Sequence, residues 1–108
     1  MELSQRKGKL EEVLLDKIVA IIKETINSNA QLVQQIISKT KRTYLDYVSL
    51  VEKETISKLA VDITFVVTGL AENVEESLDE IFTKAKKMTL QTLRRDARLF
   101  LGKKGVGG

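Results

Sequence analysis

Residues 70–101 read LAENVEESLDEIFTKAKKMTLQTLRRDARLFL, and the reading of this stretch decides the fold. It opens acidic, with Glu72, Glu75, Glu76, Asp79 and Glu80. It finishes basic, with Lys84, Lys86, Lys87, Arg94, Arg95 and Arg98. A helix is electrically positive at its N-terminus and negative at its C-terminus, so this order of charge favours both ends of one long helix. Phe82, Leu93, Ala97 and Phe100 supply an apolar face. Thr68-Gly69 before the stretch and Gly102 after it are natural terminators, because glycine is a poor interior residue and a good cap. The stretch predicts a helix over about 70–101.

The same spacing of three and four residues runs back toward the N-terminus. Leu14, Leu15, Ile18, Ile22 and Ile26 define one face, which continues as Val33, Ile36 and Ile37 and resumes as Tyr44, Tyr47, Val48 and Val51. Asn27-Ser28-Asn29 interrupts it with side chains that compete for backbone hydrogen bonds. Ala30 to Ile37 nevertheless keeps phase, so this point reads either as a turn or as mid-helix. Lys39-Thr40-Lys41-Arg42-Thr43 is polar but compatible with a helix. Val61 to Val67 is rich in β-branched residues and alternates like a strand. Leu59, Ile63, Val66 and Leu70 also fit helical spacing, however, and both flanks are helical, so the segment reads as the most buried part of a helix. Gly8 reads as the first cap, with Glu11 and Glu12 inside the first turn. The expected organisation is one domain with helices at about 9–27, 30–67 and 70–101, a flexible N-terminus over 1–8, and a mobile Gly/Lys tail over 102–108.

A repeat of eleven is the most specific pattern. Leu15, Ile26, Ile37, Val48, Leu59, Leu70 and Ile81 are seven apolar residues at that interval, ending at Thr92. A second run, Ile22, Val33 and Tyr44, lapses at Thr55 and resumes at Val66. Counting in sevens meets Asn29, Thr43 and Ser57. Eleven residues over three turns is close to the natural helical pitch, so the stripe favours nearly straight helices or a slight right-handed supercoil. Ordinary amphipathic helices can also match eleven by chance. The fold expected is all-α: long amphipathic helices in an antiparallel hairpin or three-helix bundle. Because the middle helix looks about twice as long as the first, its overhanging face, including Tyr44 and Tyr47, is expected to be covered by oligomerisation, in the manner of a coiled coil.

Composition excludes most chemistry. The 108 residues hold no proline, cysteine or histidine. Without proline, the commonest helix breaker is missing. Without cysteine there is no disulfide or thiolate site, which suits a reducing, cytoplasmic setting. Without histidine, the usual general base near neutral pH and the commonest metal ligand are gone. Met1 to Gly8 lacks the apolar stretch of a signal peptide. The longest uncharged apolar run, Ile63 to Ala71, is nine residues, against about 20 for a transmembrane helix. The glycines of the tail follow a helix instead of a strand, so they form no phosphate-binding loop. Glu72, Glu75, Glu76, Asp79 and Glu80 align on a helix as Mg²⁺ ligands do, but no second acidic array completes a site, and a solvated helix start explains them. No catalytic, cofactor or metal residue is assigned, and no enzyme activity is expected.

What remains is recognition. The expected packing and oligomer face comprises Leu15, Ile22, Ile26, Val33, Ile37, Tyr44, Val48, Leu59, Val66, Leu70 and Ile81. Lys87, Arg94 and Arg98 share one side of the last helix, flanked by Lys84 and Arg95 and extended by Lys103 and Lys104. These residues are candidate contacts for nucleic-acid phosphates or an anionic membrane surface, or simply a solvated helix end. Net charge is +3 and pI about 9.2, modest for a dedicated nucleic-acid binder. The primary expectation is a structural assembly protein, a homo-oligomer or a binder of partner helices. A small nucleic-acid-associated protein comes next, and a protein coating a lipid or granule surface third.

Overall fold

With no proline to stop it, the helical chain is interrupted at only three places among the described residues. A computed structural model describes residues 2–102, with side chains from Gly8 onward. It contains α1 (Glu2–Ser28), α2 (Ala30–Thr40), α3 (Tyr44–Val67) and α4 (Val74–Leu101), and no strand among those residues. The Val61–Val67 segment is helical. Four helices replace the three expected, and each difference has a local cause.

At the N-terminus the helix does not wait for Gly8 but begins at Glu2. Residues 2–7 are mostly good helix formers, and one interior glycine costs only about 1 kcal/mol relative to alanine. The first interruption is a single residue: Asn29 donates its backbone N–H to Ile26 O and its side-chain N–H to Thr25 O, while its own carbonyl starts α2. The Asn-Ser-Asn signal thus marks a break between α1 and α2, without a loop.

The second interruption splits the expected 30–67 helix. Lys41 takes a left-handed conformation (φ 57°), and Arg42 N–H reaches back to Ile37 O at 3.2 Å. This is the geometry in which helices commonly end on glycine. Thr43 then caps α3, its hydroxyl oxygen accepting from Asp46 N–H at 3.1 Å. The third interruption repeats the device with the usual residue. Gly69 (φ 78°) donates to Val66 O, and Leu70 N–H to Phe65 O. Asn73 caps α4 by accepting from Glu76 N–H at 3.0 Å, so that helix starts at Val74 and not at residue 70.

Ion pairs and hydrogen bonds give the helix directions. Asp62 with Lys84, Glu54 with Arg95, and Tyr47 with Asp96 make α3 and α4 antiparallel. α1 runs parallel to α4, with Lys17 beside the Phe82 ring and Thr25 and Asn29 facing Lys86 and Leu90 across a groove. Tyr44 Oη donates to Asn27 Oδ1 at 2.7 Å, tying the start of α3 to the end of α1. α2 packs chiefly on α4.

The core follows the repeat of eleven. In α3 the buried positions 55, 59, 63 and 66, and in α4 the positions 81, 85, 89 and 92, step by four, four and three. Ile22, Ile26, Val33, Val48, Leu59, Val66 and Ile81 are buried, and Leu15, Ile37 and Tyr44 partly so. Thr55 and Thr92, where the two runs lose apolar character, are buried too, so the geometry persists where the chemistry lapses. Leu70 departs from the expected packing face. It lies in the α3–α4 turn and is 63% exposed, sharing a shallow pocket with Phe65, as the residue after a glycine cap often does. Val61–Val67 is not the most buried part of its helix either: Ile63 and Val66 face inward, while Val61 is 78% and Phe65 49% exposed.

The chain's own helices therefore cover the apolar stripe. Tyr47, expected on an overhanging face, is 1% exposed within a single copy, because α4 packs along α3. The stripe's buried positions supply no ground for oligomerisation, and of its members only Leu70 is fully on the surface.

Candidate interaction surfaces

A polar cluster joins α3 to α4 near the start of α3. Tyr47 Oη donates to Asp96 Oδ2 at 2.7 Å. Arg95 grips the other oxygen of Asp96 through Nε and Nη2, and donates from Nη1 to Glu54, which also accepts from the Thr92 hydroxyl. Burial, reinforced by the hydrogen bond to Asp96, pushes the Tyr47 hydroxyl well above its ordinary pKa of 10. The hydrogen bond from Arg95 holds Glu54 below the usual carboxylate range, and Glu54 in turn raises Arg95. The tyrosine keeps its proton and one guanidinium holds both carboxylates, so the cluster is a lock between helices. Sequence reasoning missed it. The signal was Asp96 itself, a charge beside Leu93 and Ala97 on the face of α4 that becomes core, where an acid needs partners.

The predicted basic set divides. Lys84 pairs with Asp62 at 3.1 Å, and Arg95 belongs to the lock. Both sit on the flank of α4 nearest α3. Lys87, Arg94 and Arg98 are exposed on the face turned away from the core and form no ion pair among the described residues. Lys103 and Lys104 lie outside the described residues. The apolar side of α4 is committed to packing, with Leu93 and Ala97 buried and Phe82 partly covered. The five carboxylates from Glu72 to Glu80 are all exposed, and no acidic group among the described residues converges as a metal site. No described helix is long and apolar enough to cross a membrane.

Ten large apolar side chains remain exposed among the described residues, and most lie toward one end or the other of the α3–α4 pair. Val61, Phe65 and Leu70 lie together where α3 turns into α4, with Val74 opening α4 and Leu10 and Val13 on the first half of α1. Leu45, Leu50, Leu99 and Phe100 gather at the opposite end, where α3 begins and α4 finishes. At the first end, Val61, Phe65 and Leu70 line a shallow depression of about 290 Å³. At the second, a groove of about 430 Å³ runs between α3 and α4, with Leu50, Leu99 and Phe100 beside Arg42 and Lys53 and the polar lock at its floor.

No family model, curated protein or solved structure matches the chain.

Proposed function

We propose that this chain is a non-enzymatic assembly protein that associates with copies of itself through the apolar surfaces at the two ends of its packed helices. The observation that carries the reading is the clustering of the exposed apolar side chains. Singly exposed leucines and valines are ordinary on any surface; contiguous groups mark contact sites. The missing histidine and cysteine leave catalysis without its usual agents. Sedimentation velocity over a concentration series tests the reading. The mass should rise above the 12.1 kDa of one chain, and a monomer at every concentration refutes it.

The exposed row Lys87, Arg94 and Arg98 favours nucleic acid as a second reading. Three phosphate contacts would give a slope of log affinity against log salt of only about −2.7 on duplex DNA. That implies weak binding, and Arg94→Ala should reduce the slope by about one. Coating of a lipid or granule surface by α4 ranks third, because α4 would first have to withdraw Leu93 and Ala97 from the core.

A further inference from the structure

The two apolar ends carry opposite charge. Between Leu70 and Thr83 the chain places five carboxylates and no cation beside Phe65, Leu70 and Val74. None of the five forms an ion pair among the described residues. From α1, Lys9 enters this end together with Glu11 and Glu12. At the opposite end, Arg95 pairs with both Glu54 and Asp96, and Arg42 and Lys53 flank the groove without ion pairs among the described residues, so its lining carries one more cation than carboxylates. One end is therefore a projecting apolar turn with an acidic rim. The other is an apolar groove with a basic rim.

We infer that copies of this chain join head to tail, the turn end of one (Val61, Phe65 and Leu70, rimmed by Glu72, Glu75 and Glu76) seating on the groove of the next (Leu50, Leu99 and Phe100, rimmed by Arg42 and Lys53). This rests on the self-association proposed above and specifies its geometry. A two-fold contact made through one end alone would set that end against its own twin, acid facing acid or base facing base, which costs affinity. Unlike ends joined in line meet heterologously, and such contacts build rings or open chains of subunits, whereas an antiparallel side-by-side pair would close at two copies. A contact the size of the 26 × 19 Å cross-section would cover about 500 Å² per partner. About 1,000 Å² in total is the lower bound for a specific interface, so association is weak and reversible. Its polar rim is exposed, so salt must weaken it.

Sedimentation velocity on the full chain tests this at low salt (~0.05 M) and high salt (~0.5 M), either side of the range where screening becomes short. The expected result is a mass that climbs with concentration at low salt and returns to 12.1 kDa at high salt. The double variant Glu75→Lys/Glu76→Lys should weaken association by at least about tenfold, and so should Arg42→Glu/Lys53→Glu. An equimolar mixture of the two should restore it, because each supplies the end the other needs. Val61→Ser/Leu70→Ser alters only exposed positions, keeps the charges, and should also weaken association; it stands in if a charge variant loses its helical signal. A dimer of fixed mass, whatever its response to salt, overturns the head-to-tail arrangement and leaves self-association standing. Failure of the mixture to recover likewise overturns the arrangement. A monomer under all conditions overturns both.

Discussion

Replacing Tyr47 with phenylalanine removes one oxygen from the lock and tests whether the lock holds α3 to α4. Tyr47 is 1% and Asp96 6% exposed, so water cannot readily replace the lost hydroxyl. A hydrogen bond to a charged group contributes about 1.5–3 kcal/mol. Arg95 still holds the second oxygen of Asp96, which keeps the loss from the top of that range. Y47F should therefore cost about 2 kcal/mol, or a fall in Tm of roughly 8–16 °C for a domain of this size. Urea unfolding followed by helical circular dichroism measures it. The pH dependence supplies a second reading. Tyr47 has a folded pKa above its unfolded value of 10, so the folded chain holds the proton longer. The stabilisation is complete below about pH 10 and is lost as pH rises beyond it. The gap between wild type and Y47F should be flat from about pH 7 to 9 and narrow above about pH 10. A loss below about 0.5 kcal/mol, ordinary for a surface substitution, would refute the lock, as would a gap that stays constant into strong alkali.

Lys41→Gly should stabilise the chain by about 0.5–1 kcal/mol, because the left-handed backbone strains an L residue more than glycine's unfolded-state entropy costs. Gly69→Ala, at the matching position, should destabilise it by about 1 kcal/mol; urea midpoints for the pair check both signs. Thr55→Val should stabilise by about 1 kcal/mol, since the Thr55 hydroxyl is buried without a partner and the replacement is close to isosteric. A drop in Tm would show that the hydroxyl is satisfied. Glu54, held low by Arg95, contributes stability that is present at neutral pH and lost as pH falls below its ordinary 4.5. The wild type and Glu54→Gln should therefore differ modestly at pH 7, because the pair is partly exposed, and converge in acid; a gap that persists at low pH contradicts the assignment.

The helical class was legible because apolar spacing and missing proline act over many residues at once. The breaks were less so, for reasons visible at each. Gly69 announced itself, since glycine fills the left-handed position after α3. Lys41 occupies the equivalent position after α2, and no sequence rule expects a lysine there, so α2 and α3 read as one helix. The caps Thr43 and Asn73 each stand three residues before an acid, Asp46 and Glu76, a pattern readable in sequence but overshadowed by the longer apolar rhythm. The exposed Val61 and Phe65 were misassigned because β-branched and aromatic residues suggest burial whichever way they face. Only the partner helices determine that Ile63 and Val66 turn inward. The basic row was found as sequence, but its division into paired Lys84 and Arg95 and unpaired Lys87, Arg94 and Arg98 depends on where Asp62, Glu54 and Asp96 come to lie.

The charge separation along the molecule follows from a local rule multiplied by topology. Each helix prefers acids at its start and bases at its finish. α4 starts acidic at the turn end and finishes basic at the groove end, where α2 also finishes on Lys39, so the preference accumulates along these two helices. α3 runs the other way and should oppose the trend. It does so weakly: Asp46 is the only acid in its first turn, and its last turn holds no base. A lysine in that last turn would gain about 0.3–1 kcal/mol from the helix dipole, yet the positions are Thr64, Phe65, Val66 and Val67. The chain thus forgoes a local electrostatic gain at the place where a cation would break the acidic rim beside Phe65 and Leu70. α2 carries Lys39 and α4 carries Arg98 at that place, whereas α1, like α3, has no base in its last turn.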